Sequence, residues 1–131
     1  MVPCGKLPDM NWEVVFHSEF EPEFEALSRH VRLKLLAATN YLAETGPNTG
    51  RPHVDTLKGS RHSNMKELRF KADNSAWRVA FAFDPQRTAI ILVAARKSGK
   101  SQQLFYKQLI DTADRRFGAH LERLKQGRAA S

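Results

Sequence analysis

The sequence has little cysteine and no long apolar run, and both absences limit the kind of protein that it encodes. The single cysteine among 131 residues, Cys4, excludes an internal disulfide framework and a zinc site built on cysteines. No apolar stretch approaches the roughly 18 residues that a membrane-spanning helix requires. The N-terminal segment MVPCGKLPDM lacks the apolar central region of a secretory signal. We therefore expect a cytoplasmic protein without a membrane partner.

Acidic residues are also in short supply. The chain has 14 Asp and Glu against 21 Lys and Arg, which gives a formal charge of +7. Such an excess favours a polyanionic partner, namely nucleic acid, a ribosome, an acidic protein or an anionic membrane. A membrane is the weakest of these candidates, because the predicted helices mix acidic residues with their basic ones. The hydrophobic fraction of 41% is sufficient for one core in one domain.

The hydrophobic pattern divides the chain into a flexible leader at 1–10, one domain at 11–125 and a frayed tail at 126–131. Met10 lies at the domain edge, so it is an alternative translation start to Met1. Alternation over residues 11–17 predicts a first strand. Apolar residues at steps of three or four over 22–45 then predict one helix, or two helices broken near Ser28.

The second half of the domain is predicted to be mostly strand. Residues 65–71 and 76–84 alternate, 88–95 form an unbroken apolar run, and 54–57 form a further short strand or a loop. Short turns between them predict a three- or four-stranded antiparallel meander. A last helix is expected from about Ser101 to Leu124. Strands grouped together with helices at both ends indicate the α+β class.

Two arginines stand out because they occupy strand positions opposite the bulky apolar residues. Arg69 alternates with Leu68 and Phe70, and Arg78 shares its face with small alanines that leave room around it. A guanidinium stays charged and binds phosphate through two parallel hydrogen bonds. The pattern therefore predicts a phosphodiester site on a rigid sheet. The alternative is that both are exposed strand residues paired with Glu67 or Asp84.

A basic segment, Arg96-Lys97-Ser98-Gly99-Lys100-Ser101, follows the buried strand. It is not a Walker A loop, because Ala94 stands where that motif needs a glycine and the sheet is predicted to be antiparallel. Three cations at a strand end, beside a helix N-terminus, indicate an anion site. An ordinary basic loop capped by Ser101 is the alternative.

Five histidines lack the spacing of metal ligands and have no cysteine or aspartate cluster beside them, so we predict neither a metal nor a cofactor. His53, which follows a turn-rich connector, and His62, in the loop before the Arg69 strand, can each act as acid or base near neutral pH. Tyr106, close in sequence to the basic segment, is a proton donor or a packed aromatic.

A series of short motifs runs through residues 50–99. They are Gly50-Arg51-Pro52, Leu57-Lys58-Gly59-Ser60, Lys66-Glu67-Leu68-Arg69, Trp77-Arg78-Val79, Phe83-Asp84-Pro85 and Lys97-Ser98-Gly99. In order and spacing they closely resemble the phage-derived HigB-like branch of the RelE/ParE toxin superfamily, and the likeness extends from about residue 11 to residue 124. The resemblance implies a compact RelE-like α+β microdomain with helices on one side of an antiparallel sheet.

The resemblance also implies a function. RelE- and HigB-like members are toxins of type II toxin–antitoxin systems that cut messenger RNA, usually on the ribosome. A helix-turn-helix antitoxin, usually encoded beside the toxin, neutralises them. The alternatives are a ParE-like inhibitor of gyrase and a non-catalytic module that binds RNA or the ribosome.

The motifs assign residues to such a site. Arg78 matches the superfamily's strand arginine, Arg69 the arginine of its Leu-Arg motif, and Lys97 the basic position that ends the last strand. Glu67 is a departure, because ribosome-dependent members carry a lysine there. Tyr106 is only near in sequence to their C-terminal tyrosine or histidine–aspartate set.

The implied chemistry is metal-independent cleavage in which the 2′-OH of one nucleotide attacks its own 3′ phosphate. Arg69 and Arg78 stabilise the phosphate. The base for the 2′-OH is Glu67 or His62. The leaving-group proton, or the positioning of the RNA, comes from Lys97, Lys100 or Tyr106. Further RNA contacts are expected from five basic residues: Lys58, Arg61, Lys66, Arg96 and Lys100.

Overall fold

The computed structural model describes residues 12–97, 99 and 101–130, so the predicted leader, Met10 and Lys100 lie outside the described residues. The described elements are β1 (Glu13–Phe16), α1 (Phe20–Glu25), α2 (Arg29–Thr45), a 3-10 turn (Gly46–Asn48), β2 (Val54–Thr56), β3 (Met65–Ala72), β4 (Ser75–Phe83), β5 (Thr88–Lys97) and α3 (Gln102–Ala130). The α+β class is thus confirmed. No helix among these residues is long and apolar enough to cross a membrane.

The five strands form one sheet in the order β1-β5-β4-β3-β2. Strands β2 to β5 are an antiparallel meander of four, as predicted, and a tight turn through Asp73 and Asn74 joins β3 to β4. Both residues have positive φ, 52° and 59°, which is typical of the two-residue turns that match the twist of a hairpin. This turn sets the register that brings Arg69 opposite Arg78.

One strand departs from the expected antiparallel sheet. β1 pairs with β5 in parallel, so that Val14 lies beside Ala89 and Phe16 beside Ile91. β1 is followed by two helices and not by a tight turn to its partner strand. The connection therefore allows β1 to pair with β5 either in parallel or antiparallel. Its alternating pattern predicts a strand without predicting that direction.

Helices cover both faces of the sheet, and the implied arrangement with helices on one side is wrong. One face packs on α1 and α2 through a cluster that includes Phe20, Phe24, Leu35, Leu42, Val79, Phe81 and Ile91. The other face packs on α3 through a cluster that includes Ala80, Ala82, Ile90, Leu92, Phe105, Leu109 and Phe117. A strand whose side chains are apolar on both faces needs a packed layer of structure on each face of the sheet. The unbroken apolar run of β5 has α1 and α2 on one face and α3 on the other.

Because α3 covers the second face, the prediction that the alanines beside Arg78 leave open space around it is only partly right. Ala80 and Ala82 share its face, but both are fully buried beneath α3 and form no open concave surface. Small residues here allow a helix to approach the sheet closely. The open part of this face lies at the other end of β4, where half-buried Ala76 and Ala95 are the small neighbours of Arg78.

The helical stretch at 22–45 is broken near Ser28, which resolves the open choice in favour of two helices. The Ser28 hydroxyl accepts a hydrogen bond from the backbone N–H of Val31 at 3.2 Å, and this cap starts α2. At its other end α2 stops at Gly46, where φ is +57°. A methyl group on Gly46 would lie 2.4 Å from Cδ1 of Trp12.

We expect Gly46→Ala to lower the free energy of unfolding by about 2 kcal/mol, because the alanine is strained at positive φ and collides with the Trp12 ring. Gly118→Ala is the matched control: Gly118 lies inside α3 with nothing within 4 Å of an added Cβ. It should raise stability by up to about 1 kcal/mol through helix propensity. Urea denaturation followed by circular dichroism measures both, and equal effects would contradict the steric explanation.

Candidate functional site

The candidate site lies on the α3 face of the sheet, towards the β3–β4 turn. The register of the three central strands aligns Arg69, Arg78 and Ala95 in one row across the sheet. The next row towards the turn contains Lys71, Ala76 and Lys97. These positions alternate with core residues of the α2 face, so their side chains point to the α3 face. The two rows together place four cations around two small alanines on that face.

The carboxylate of Glu67 is the centre of the site. Its side chain is only 4% exposed. Arg69 donates to Oε2 from both Nε and Nη2, at 3.2 and 2.9 Å. The Tyr106 hydroxyl donates to Oε1 at 2.9 Å. Arg78 Nε lies 3.7 Å from Oε1 and donates to the Tyr106 hydroxyl at 3.2 Å. One buried carboxylate thus connects both arginines and the tyrosine of α3, a set that we call the arginine network: Glu67, Arg69, Arg78 and Tyr106.

A second carboxylate extends the network to the edge of the sheet. Asp55, on β2, lies opposite Glu67, and its Oδ2 is 3.4 Å from Arg69 Nη2 and 2.9 Å from Arg51 Nη2. The backbone N–H of Thr56, and then the Arg51 guanidinium, hold the pKa of Asp55 below its ordinary value. Asp55 is therefore ionised at neutral pH. The contacts then run from Arg51 through Asp55, Arg69 and Glu67 to Arg78, so that cations and carboxylates alternate.

Tyr106 of the network and Lys97 beside it can handle protons or phosphate charge. Burial raises the pKa of the Tyr106 phenol above its ordinary value, so the hydroxyl keeps its proton at neutral pH. Lys97 Nζ lies 5.7 Å from the centre of the Tyr106 ring. Hydrogen bonding to Glu67 raises the pKa of Arg69 further, so this guanidinium is permanently charged. The site therefore combines fixed cations with a protonated phenol.

Grooves flank the network on two sides. One, of about 560 Å³, runs along the start of α3 and is lined by Lys58, Gly59, Gln102, Gln103, Tyr106, Lys107, Ile110 and Asp111. The other, of about 200 Å³, follows β2 and is lined by residues that include Arg51, Asp55 and Lys66. Tyr106 and Asp55 connect the two grooves to the network. Of the predicted RNA contacts, Lys58 thus lies beside the predicted catalytic residues. Lys66 does not: it alternates with Glu67 and pairs with Phe81, so its side chain lies on the face that α2 covers.

The structure separates other predicted site residues from this cluster. His62 packs edge-on against Phe117, with ring centres 4.9 Å apart, and its Nε2 is buried without a partner among the described residues. Arg61 is exposed, and its backbone N–H donates to Asp114 at 3.1 Å. Arg96 pairs across the strands with Trp77, on the face that α2 covers. No group of three or more His, Cys, Asp or Glu residues suited to a metal lies within the described part of the chain.

Sequence reasoning missed several residues of the site. Lys71 is exposed and lies in the same row as Lys97. The signal in the sequence is its spacing of two residues from Arg69 and four from Glu67, which places all three on one face of the strand. Asp55 and Arg51 were not identified, because their contact depends on β2 pairing with β3, and a strand of three residues has almost no pattern of its own.

The family of the chain follows from comparison with known proteins. Residues 22–118 match the family described as "Phage derived protein Gp49-like (DUF891)". The chain belongs to this Gp49-like family. Two relatives of the Gp49-like chain come from Mycobacterium tuberculosis (strain ATCC 25618 / H37Rv). The one named "Putative toxin HigB3" is 38% identical over 103 residues, 79% of this chain and 88% of the relative. The one named "Putative toxin HigB2" is 47% identical over 96 residues, 72% of this chain.

The Gp49-like chain spans about half the length of HigB2, since the match covers 47% of that relative. Its fold also matches a solved structure, the free state of a double mutant of the E. coli toxin RelE. The TM-score is 0.52 at 15% identity, over 77% of this chain and 95% of that one. The predicted membership of the RelE/HigB-like toxin superfamily is thus confirmed, and so is the RelE-like fold.

Proposed function

We propose that this Gp49-like chain is the toxin of a type II toxin–antitoxin system and that it cleaves messenger RNA without a metal ion. The arginine network supports this proposal most directly: two guanidinium groups lie side by side on rigid strands, in a row bordered by Lys71 and Lys97. The names of its relatives, HigB2 and HigB3, agree with a toxin.

The proposed reaction is a transesterification within the RNA. The 2′ oxygen of one nucleotide forms a bond to the adjacent phosphorus, and the bond from phosphorus to the 5′ oxygen of the next nucleotide breaks. The products are a 2′,3′-cyclic phosphate and a free 5′-OH end. Negative charge increases on the phosphate oxygens in the transition state, and preorganised cations such as Arg69 and Arg78 stabilise it there.

Two protons must move in this reaction. We assign the proton for the leaving 5′ oxygen to Lys97, whose ammonium lies over the Tyr106 ring and forms no ion pair within the described part of the chain. Neither base predicted from sequence is well placed for the 2′-OH, because His62 packs under α3 and both oxygens of Glu67 are occupied. The 2′-OH proton therefore passes to solvent water.

The same proposal defines the partners. Lys58 lines the groove that Tyr106 also lines, where it can contact a phosphate next to the cut. The ribosome is the second partner that we propose, since it supplies a messenger RNA held in an extended form. A helix-turn-helix antitoxin encoded beside the toxin is the third, and the cytoplasm is the compartment where all of them meet.

Induced expression of the wild-type chain in a bacterial host tests this proposal. We expect growth arrest, with new 5′ ends inside messenger RNAs that primer extension maps within minutes of induction. Co-expression of the neighbouring helix-turn-helix gene should remove both effects. Growth arrest with intact messenger RNA and relaxed plasmid DNA would instead indicate a ParE-like gyrase inhibitor. Salt-sensitive binding to ribosomes without new ends would indicate a non-catalytic module.

A further inference from the structure

We infer that Glu67 is a positioning residue that holds both arginines and Tyr106 for phosphate binding, and that it is not the base of the reaction. This inference rests on the proposed RNA cleavage. It begins from burial: the Glu67 side chain is 4% exposed, compared with 33% for Arg69 and 15% for Arg78. A base must reach the proton that it removes, and here the arginines and not the carboxylate face the solvent.

The hydrogen bonds of Glu67 lead to the same conclusion. Oε2 accepts two donors from Arg69, and Oε1 accepts the Tyr106 hydroxyl while lying 3.7 Å from Arg78 Nε. Both oxygens are already paired with donors of the protein, so removal of the 2′-OH proton would require one of these hydrogen bonds to break. The same contacts make it an effective anchor for the groups around it.

An anchor is needed because Arg69 and Arg78 are direct partners across β3 and β4. Two like charges opposite each other on neighbouring strands destabilise a sheet and turn the side chains away from each other. Glu67 offsets this repulsion, and through the Tyr106 hydroxyl it also fixes the direction of Arg78 Nε. Phosphate can then bind to the remaining N–H groups of two guanidinium groups that are already oriented.

The first experiment measures position directly and does not depend on cleavage. In ¹⁵N-labelled protein, the Nε–H signals of Arg69 and Arg78 should be sharp and protected from exchange in the wild type. In Glu67→Ala both signals should broaden or merge with those of free arginines, and in Glu67→Gln they should be intermediate, because the amide oxygen still accepts one donor. Glu122→Gln, which removes an exposed carboxylate of α3, is the control and should leave both signals unchanged.

The second experiment is single-turnover cleavage of a short RNA over a range of pH. We expect Glu67→Ala to cleave about 10²-fold more slowly, in line with the loss of oriented charge stabilisation. The shape of the pH profile should match that of the wild type, and Glu67→Gln should recover part of the rate. The melting temperature of each variant is measured in parallel, and rates are compared per folded molecule.

Two results would overturn the inference. Loss of the acidic limb of the pH profile in Glu67→Gln would identify Glu67 as the base. Unchanged arginine signals in Glu67→Ala would show that the carboxylate does not hold them, even if the melting temperature falls. The proposed function fails separately: if the wild type cleaves no RNA, the arginine signals still decide whether Glu67 positions the two guanidinium groups.

Discussion

Replacing Arg78 with alanine should slow messenger RNA cleavage by about 10²- to 10³-fold, the usual cost of removing one preorganised donor from a transition-state site. Arg78 has the more buried guanidinium of the two arginines, 15% exposed against 33% for Arg69. Its Nε donates to the Tyr106 hydroxyl at 3.2 Å and its Nη1 to the backbone carbonyl of Trp77 at 3.1 Å. A group fixed in this way needs little reorganisation when charge develops on the phosphate. Its removal should therefore lower the rate of the chemical step more than it weakens RNA binding.

Arg78→Lys separates charge from geometry. The lysine keeps the positive charge but can neither bond to Tyr106 through Nε nor bind phosphate through two parallel hydrogen bonds, so most of the loss should remain. Arg32→Ala is the control: it also removes one arginine, but Arg32 lies on α2, away from the network, where it pairs with Glu25 of α1. It should retain full activity. End mapping after induction and single-turnover cleavage measure all three, and a fully active Arg78→Ala would refute the assignment.

Much of the fold could be predicted because it follows from the periodicity of apolar residues and from capping residues in short stretches of sequence. The alternation in β3 and β4 identifies their faces, Ser28 marks the break between α1 and α2, and the apolar run of β5 indicates burial on both sides. The parallel direction of β1, and which helix covers which face of the sheet, have no such signal. Both depend on how elements distant in sequence pack, and periodicity carries no information about that packing.

The same division holds for the site. Arg69, Arg78 and Glu67 could be placed together, since they lie on neighbouring strands of one hairpin with matching alternation. Tyr106 is 39 residues from Glu67 along the chain, and its contact with the carboxylate exists only because α3 crosses this end of the sheet. His62 had to be interpreted from a loop, where no periodicity indicates a direction, and the structure turns it towards Phe117.

The position of α3, and with it Tyr106, depends on a second set of contacts farther along the helix. Arg116 is only 7% exposed at its side chain, and it forms a two-pronged ion pair with Glu23 of α1. Its Nη1 also donates to the carbonyl of Leu92 at 2.8 Å. Leu92 lies at the β-bulge, where Ala80 pairs with Val93 and the next residue of β4 pairs with Ile91, so that Leu92 has no partner in the register. Arg116 thus donates a hydrogen bond to the carbonyl of a residue that has no partner residue on β4.

Arg116→Ala should therefore lower the free energy of unfolding by about 2 kcal/mol, because it leaves the buried Leu92 carbonyl without its donor, whereas the Glu23 carboxylate is 45% exposed and is solvated by water instead. Arg115→Ala is the matched control one position earlier on α3. Arg115 pairs with Glu19 at 3.2 Å, but both side chains are about half exposed, so the loss should be under about 1 kcal/mol. Urea denaturation of purified variants gives both values.

A double-mutant cycle then separates the ion pair with Glu23 from the other contacts of Arg116, which are the Leu92 carbonyl and, 3.7 Å from Nε, the Glu19 carboxylate. Glu23→Ala alone leaves Arg116 bonded to the Leu92 carbonyl, so it should cost less than Arg116→Ala. In the double variant the cost should fall below the sum of the single costs by about 1–2 kcal/mol, the usual coupling of residues in direct contact. Strict additivity would mean that the ion pair with Glu23 contributes nothing, and that the stability lost in Arg116→Ala comes from the other contacts of Arg116.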